Sequence, residues 1–272
     1  MNHPPAPIPA PLSAESILEK LPPGRFGRPL FYFPAVDSTN DTLRELAERG
    51  AAEGTVVVAE TQLRGRGRRG REWSSPPGGG IYLSLLLRPT LPPAGFPGIT
   101  LLAAAAAGRA IEEETGLKPR VKWPNDLLLG GRKVCGILVE TGRGGSGKGY
   151  LVAGIGLNVE RERFPPELAG RAVSLRLAGA ENLDRADLIA AVLGRLEELY
   201  RDSRGGADLS PALDYCRSRS VTIGERVRVR GPKGEVFGLA LDLTDSGGLR
   251  LRREDGEEMV VTSGEVTLSP PG

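Results

Sequence analysis

The sequence predicts an α+β chain, a large domain of strands and helices followed by a small β-barrel, and three observations lead there. Thr55 to Ala59, Ile81 to Leu87 and Tyr150 to Val159 are apolar runs of strand length. The alanine-rich stretch Ile99 to Thr115 and the amphipathic stretch Asp184 to Ser203 have helical spacing. From about Val221 the texture changes. There Val227 and Val229 alternate with Arg226, Arg228 and Arg230, and Asp245-Ser246-Gly247-Gly248 and Asp255-Gly256 supply turns.

In chain order, residues 1–28 read as a proline-rich tail with one helical piece near Ala14 to Leu21, too short for a winged-helix domain. Residues 29–218 form the large domain and 219–272 the barrel. Phe31 to Val36 is a short strand. A helix begins at Ser38-Thr39-Asn40, carries the stripe Leu43, Leu46 and Ala47, and stops at Gly50. That triplet reads either as a plain N-cap or as hydroxyl and amide groups for a small polar ligand.

Gly116 closes the alanine-rich helix. Val121 to Leu129 reads as a strand interrupted by Pro124-Asn125-Asp126, a turn that is either solvated or aims Asn125 and Asp126 into a cleft. Another strand begins at Arg132 and runs to Glu140. The linker Thr141 to Gly149 imitates a P-loop, but Gly149 stands where Ser or Thr is required and a strand follows, so a flexible hairpin turn is the reading. Gly154-Ile155-Gly156-Leu157-Asn158 fails the dinucleotide pattern, since no third glycine or helix start follows.

Between two of the strands lies Glu60-Thr61-Gln62-Leu63-Arg64-Gly65-Arg66-Gly67-Arg68-Arg69-Gly70-Arg71-Glu72. Glycine permits close approach of the main chain, and arginine offers a planar fork of donors matched to phosphate and carboxylate oxygens. The run therefore reads as a loop closing over an anion, with a solvated basic turn and an RGG-like nucleic-acid segment as alternatives.

A chain of 272 residues with 39% hydrophobic content can bury a sizeable core. Its formal net charge is only +2, so the arginines are a local feature rather than part of a broadly basic surface. Two cysteines make no disulfide framework; Cys135 reads as a buried free thiol, which fits a reducing cytoplasm. The N-terminus lacks signal-peptide features and no run approaches ~18 apolar residues, so no membrane segment is expected. The sole histidine, His3, lies in the tail, which leaves the folded body without an imidazole for a triad or a metal site.

Five of these pieces together resemble one family. Asp37-Ser38-Thr39-Asn40, Gln62 with Gly65 to Arg71, Lys122-Trp123-Pro124-Asn125-Asp126, Lys133 with Gly136 to Glu140, and Gly154 to Asn158 are similar, in that order, to the biotin protein ligases. The resemblance covers residues 30 to 160. It implies a mixed or antiparallel sheet flanked by helices, the class II synthetase-like or biotin-lipoate ligase fold, with an SH3-like C-terminal barrel. It also implies ATP and biotin as substrates, Mg²⁺, and a biotin carboxyl carrier protein domain of a biotin-dependent carboxylase as partner.

By the same resemblance Ser38, Thr39, Asn40 and Gln62 meet the polar ring of biotin, and Gly136 and Leu138 line its pocket. Arg66, Gly67 and Arg68 belong to a loop that folds over biotin and the adenylate, and Lys133 lies by the biotin carboxylate and α-phosphate. Arg71, Trp73, Lys122, Asn125 and Asn158 fall on the nucleotide side, and Asp126 is the magnesium-linked carboxylate. Arg66, Arg68 and Lys133 are the catalytic set. Family members occur as monomers and as homodimers joined by sheet edges, and DNA binding and transcriptional repression are not expected.

The residue chemistry agrees with this. A carboxylate ionised at pH 7 is itself the nucleophile towards phosphorus, so activation needs charge neutralisation rather than a general base. A lipoate ligase, a nucleic-acid binder built on the arginine loop, and a peptide-binding barrel remain as competing readings.

Overall fold

The computed structural model describes residues 12–89, 95–144, 149–231 and 234–268. His3, most of the proline-rich stretch and Gly147-Lys148 of the P-loop imitation lie outside the described residues. The elements run α1 (Ala14–Lys20), β1 (Leu30–Phe33), α2 (Thr39–Glu48), β2 (Val56–Ala59), β3 (Gly80–Leu87), α3 (Phe96–Thr115), β4 (Arg120–Lys122), β5 (Asp126–Leu129), β6 (Arg132–Arg143) and β7 (Gly149–Asn158). After them come α4 (Arg185–Asp202), α5 (Ser210–Ser218) and β8 to β12 (Arg226–Gly231, Gly234–Leu243, Leu249–Arg252, Glu258–Val261, Glu265–Leu268).

The large domain is built on a seven-stranded sheet of order β1-β2-β3-β7-β6-β5-β4. Only the β1–β2 pair is parallel, so the sheet is mixed, and helices cover both faces. The alternation of strand side chains sorts them cleanly. Val56, Val58, Leu83, Leu85, Leu87, Ile137, Ala153 and Ile155 join the core with α1, α3, α4 and α5, while Val57, Leu86, Tyr150 and Val152 pack with Leu43 and Ala47 of α2. Burial on both sides is why β3 reads as an unbroken apolar run.

The segment expected as a tail is, from Leu12 onwards, part of this core. Ile17 is fully buried on α1, whose start is closed by a Ser13–Ser16 capping box, and Leu21 and Phe26 are also buried. The side chain of Glu197 on α4 accepts from the backbone N–H groups of Arg25 and Phe26 at 2.8 and 3.2 Å. Ile17→Ala should therefore destabilise the whole domain by about 2–4 kcal/mol in denaturant unfolding. A change below about 0.5 kcal/mol would mean the segment is dispensable for stability.

Two further differences from the sequence reading have physical reasons. Val121 to Leu129 is a hairpin rather than one interrupted strand: β4 and β5 pair antiparallel with Lys122 opposite Asp126. Helix α5 had no expectation at all, because its apolar stripe is only Ala212, Leu213, Tyr215 and Cys216 and tertiary packing completes it.

The C-terminal unit is an antiparallel five-stranded sheet of order β11-β10-β9-β8-β12. It is held to the large domain by buried polar bonds. Trp123, 3% exposed, donates its backbone N–H to Thr222 Oγ1 (3.1 Å) and its indole N–H to the Gly247 carbonyl (3.0 Å).

Candidate active site

On the α2 face of the sheet a cleft, partly open to solvent, lies beside the helix start. Its floor follows from strand periodicity. Gly136 and Leu138 on β6 and Gly154 and Gly156 on β7 point to this face, with Gly136 opposite Gly156 and Leu138 opposite Gly154. Glycine here is required by neighbours: a Cβ at Gly156 would sit 2.4 Å from the Trp73 indole, and one at Gly154 would sit 2.3 Å from Asn40 Oδ1. The motif that fails as a dinucleotide loop is thus a strand stripped of side chains on one face. Gly156→Ala must therefore displace Trp73 from the floor of the cleft.

One wall is the start of α2. Ser38 occupies the N-cap position without a side-chain capping bond, so its hydroxyl is not spent on the helix. Instead Gln62 Oε1 accepts from the Thr39 N–H at 2.9 Å and lies 3.1 Å from Thr39 Oγ1. Gln62 Nε2 in turn donates to Ser75 Oγ at 2.8 Å. Ser38, Thr39 and Asn40 are nearly buried, at 3–4% exposure, so their polar groups are held by protein and offered to the cleft rather than to bulk water.

The arginine loop forms the roof. It is folded on itself, with Trp73 N–H donating to the Gly65 carbonyl (2.9 Å), Gly67 N–H to the Arg71 carbonyl (2.7 Å), and a 3₁₀ turn over Arg68–Gly70. Arg69 and Gly70 take the positive φ values that turn demands, 58° and 72°. Arg68 reaches Asn125 Oδ1 and the Gly264 carbonyl, each at 3.2 Å, and Arg69 reaches the Arg230 carbonyl at 2.7 Å. Arg71 pairs with Glu265. The roof therefore rests on the C-terminal unit. Burial lowers the Arg68 guanidinium below its ordinary range, opposed by Asp126 and Glu265, and it remains a cation at neutral pH.

Lys133 is placed by an irregularity. The β5–β6 register shifts at Leu127/Leu128, pairing Leu127 with Cys135 but Leu128 with Lys133. This bulge turns Lys133 off the core face that Cys135 and Ile137 share and into the cleft, against Gly136. Its Nζ lies 2.7 Å from Asp126 Oδ1 and 5.2 Å from the centroid of the Trp73 ring. The Asp126 contact is close but not aligned as a hydrogen bond, and Trp73 Nε1 is buried without a partner among the described residues.

Residues 32–158 match the biotin/lipoate A/B protein ligase family, and residues 222–269 match the biotin protein ligase C-terminal domain. A biotin–[acetyl-CoA-carboxylase] ligase of Mycobacterium tuberculosis is 36% identical over 263 residues, 94% of this chain and 95% of that one. The chain belongs to the biotin protein ligase family. A bifunctional ligase/repressor of Bacillus subtilis is 38% identical over 257 residues, covering 94% of this chain and 79% of its own length. The biotin protein ligase of Aquifex aeolicus, solved with biotin and ATP, superposes with a TM-score of 0.74 at 31% identity, over 89% of this chain and 99% of that one.

In this biotin protein ligase Ser38, Thr39, Asn40, Gln62, Arg66, Gly67, Arg68, Trp73, Asn125, Lys133, Gly136 and Leu138 line one cleft. Three residues expected on the nucleotide side do not reach its wall. Arg71 is turned outwards to Glu265, and Lys122 sits on β4 across from Asp126. The amide nitrogen of Asn158 donates to the carbonyls of Val173 and Lys133, at 3.2 and 3.4 Å, so it holds the backbone behind Lys133. Sequence reasoning missed Ser84, which touches Thr39 and Asn40; the signal was a lone hydroxyl in an apolar strand. It also gave no role to Glu140.

Proposed function

We propose that this ligase activates biotin with ATP to biotinyl-5′-adenylate and pyrophosphate, then transfers the biotinyl group to a lysine of a biotin carboxyl carrier protein domain with release of AMP. The observation that carries the reading is the joining of buried ring-recognition groups with Arg66, Arg68 and Lys133 around one glycine-floored cleft. Ser38, Thr39, Asn40 and Gln62 would hydrogen-bond the polar ring, with Gly136 and Leu138 beneath it. Lys133 and Arg68 would face the biotin carboxylate and the α-phosphate, where they offset the repulsion between two anions in a dry site. Trp73 would offer its indole face to the adenine, with Asn125 beside it.

Among the described residues there is no group of three or more His, Cys, Asp or Glu that could hold a metal ion. That donor set still fits Mg²⁺, which binds through one or two carboxylates together with substrate phosphates and waters. Asp126, whose buried Oδ1 lies 2.7 Å from Lys133 Nζ, would be that carboxylate. Bound there, the ion would neutralise phosphate charge.

The partner we propose is the carrier domain of a biotin-dependent carboxylase, with no role for DNA. A homodimer would use the β1 edge of the sheet, where Phe31 is exposed, because β4 at the other edge is bridged by Ser220. A cytoplasmic setting is supported by Cys135 and Cys216, both free and buried; burial pushes each thiol up to about 12. No helix among the described residues is long and apolar enough to cross a membrane. The test is carrier loading: with ATP, Mg²⁺ and biotin the carrier should become avidin-reactive at one lysine. No loading, or equal loading with lipoate, would refute the assignment.

A further inference from the structure

The geometry points to Glu140 as the positioning residue that couples the arginine loop to the ring-recognition groups, an inference that rests on the biotin reading of the cleft. Glu140 stands at the end of the ligand-facing row of β6, beyond Gly136 and Leu138. Two sets of contacts meet on its carboxylate.

The first set is a closed circuit of four charges. Arg44 lies 3.0 Å from Asp41 and 3.2 Å from Glu140, and Arg66 contacts the same two carboxylates, 2.7 Å from Asp41 Oδ1 and 3.3 Å from Glu140 Oε2. Asp41 and Arg44 are one turn apart on α2, Glu140 is on the sheet, and Arg66 is on the loop. The circuit therefore ties the roof to two rigid elements, each member being roughly one-third exposed. An isolated pair with that exposure contributes little, so the ion pairs alone would make Glu140 unremarkable.

The second set concerns hydrogen-bond direction. Asn40 Nδ2 donates to Glu140 Oε2 at 2.7 Å and to the Leu138 carbonyl at 3.3 Å. A carboxylate only accepts, so the amide cannot turn over, and Asn40 Oδ1 must face Ser84 Oγ, 2.6 Å away. The single Ser84 proton is then committed to Asn40. Ser84 Oγ, fully buried, is left as an acceptor 2.8 Å from Thr39 Oγ1, whose single proton is shared between Ser84 and Gln62 Oε1 at 3.1 Å. Thr39 consequently keeps its lone pairs for an N–H donor in the cleft. The orientation of groups that never touch Glu140 is thus set by the acceptor oxygen it presents to Asn40, beside the Leu138 carbonyl. The same carboxylate holds Arg66, so closing of the roof and ordering of the ring site share one group.

A glutamine separates the two roles, since its carbonyl still accepts from Asn40 but carries no charge for Arg66. We expect Glu140→Ala to raise KM for biotin about tenfold or more in ATP–pyrophosphate exchange while KM for ATP stays within about twofold. Glu140→Gln should keep KM for biotin within about threefold yet lose bound adenylate about tenfold faster on dilution. Equal KM for biotin in the two variants, parallel rises for ATP and biotin, or unchanged adenylate retention in the glutamine variant would overturn the inference. Should the alanine variant fail to fold, the glutamine variant decides through retention alone. A wild-type chain without biotin-dependent exchange would instead defeat the reading of the cleft, and this inference with it.

Discussion

Lys133→Ala should slow adenylate formation by about 10²–10³-fold, the loss found when one preorganised charge-stabilising group is removed from a reacting phosphoryl or acyl centre. The side chain is held for that task from three directions. Its backbone N–H donates to the Arg171 carbonyl at 2.8 Å, its carbonyl accepts from Val173 N–H at 3.0 Å, and Asn158 adds a further bond behind it. Asp126 steadies the ammonium group. The second half-reaction places less demand on it, because the carrier amine is neutral when it attacks and the acyl group is already activated. Transfer from supplied biotinyl adenylate should therefore fall by less than about tenfold. Equal losses in the two assays would reject this division of labour.

Arg68→Ala should release biotinyl adenylate into solution about 10–100 times faster than the parent, as expected when a lid loses its closing contact. Arg68 is the point at which the roof, the β4–β5 turn and the C-terminal unit meet, through Asn125 and the Gly264 carbonyl. A mixed anhydride hydrolyses readily, so a site that excludes water between the two steps protects it. Free adenylate in the medium, measured by filtration and chromatography, checks the outcome. Retention equal to the parent would remove Arg68 from the lid. The loop is further expected to be less sensitive to protease when biotin or adenylate is bound, with cleavage between Arg64 and Arg71 as the readout.

The sequence shows the sheet and its main helices because both faces of the large sheet are covered and the resulting apolar runs are long. It shows the candidate site because a glycine-arginine loop, a Ser-Thr-Asn helix start and a Pro-Asn-Asp turn are chemically conspicuous. It does not show how they are aimed. Ser38 looks like a side-chain cap and does occupy the cap position, yet its hydroxyl makes no capping bond. Lys133 by simple alternation belongs on the core face with Cys135, and only the bulge at Leu127/Leu128 redirects it. Asn158 looks like a ligand group because it follows the glycine pair, yet its amide is consumed by backbone carbonyls of residues distant in sequence. Ile17 lies in a proline-rich context that suggests solvent, and nothing local reveals that α4 covers it. Each of these is decided by a partner far along the chain.

The chemistry proposed for this cleft joins the carboxylate of biotin to the α-phosphate of ATP. Exchange of labelled pyrophosphate into ATP reads that step alone. Exchange should appear on adding biotin with Mg²⁺, be absent without biotin, and not be restored by lipoate. Exchange independent of biotin, or none under any of these conditions, would contradict it.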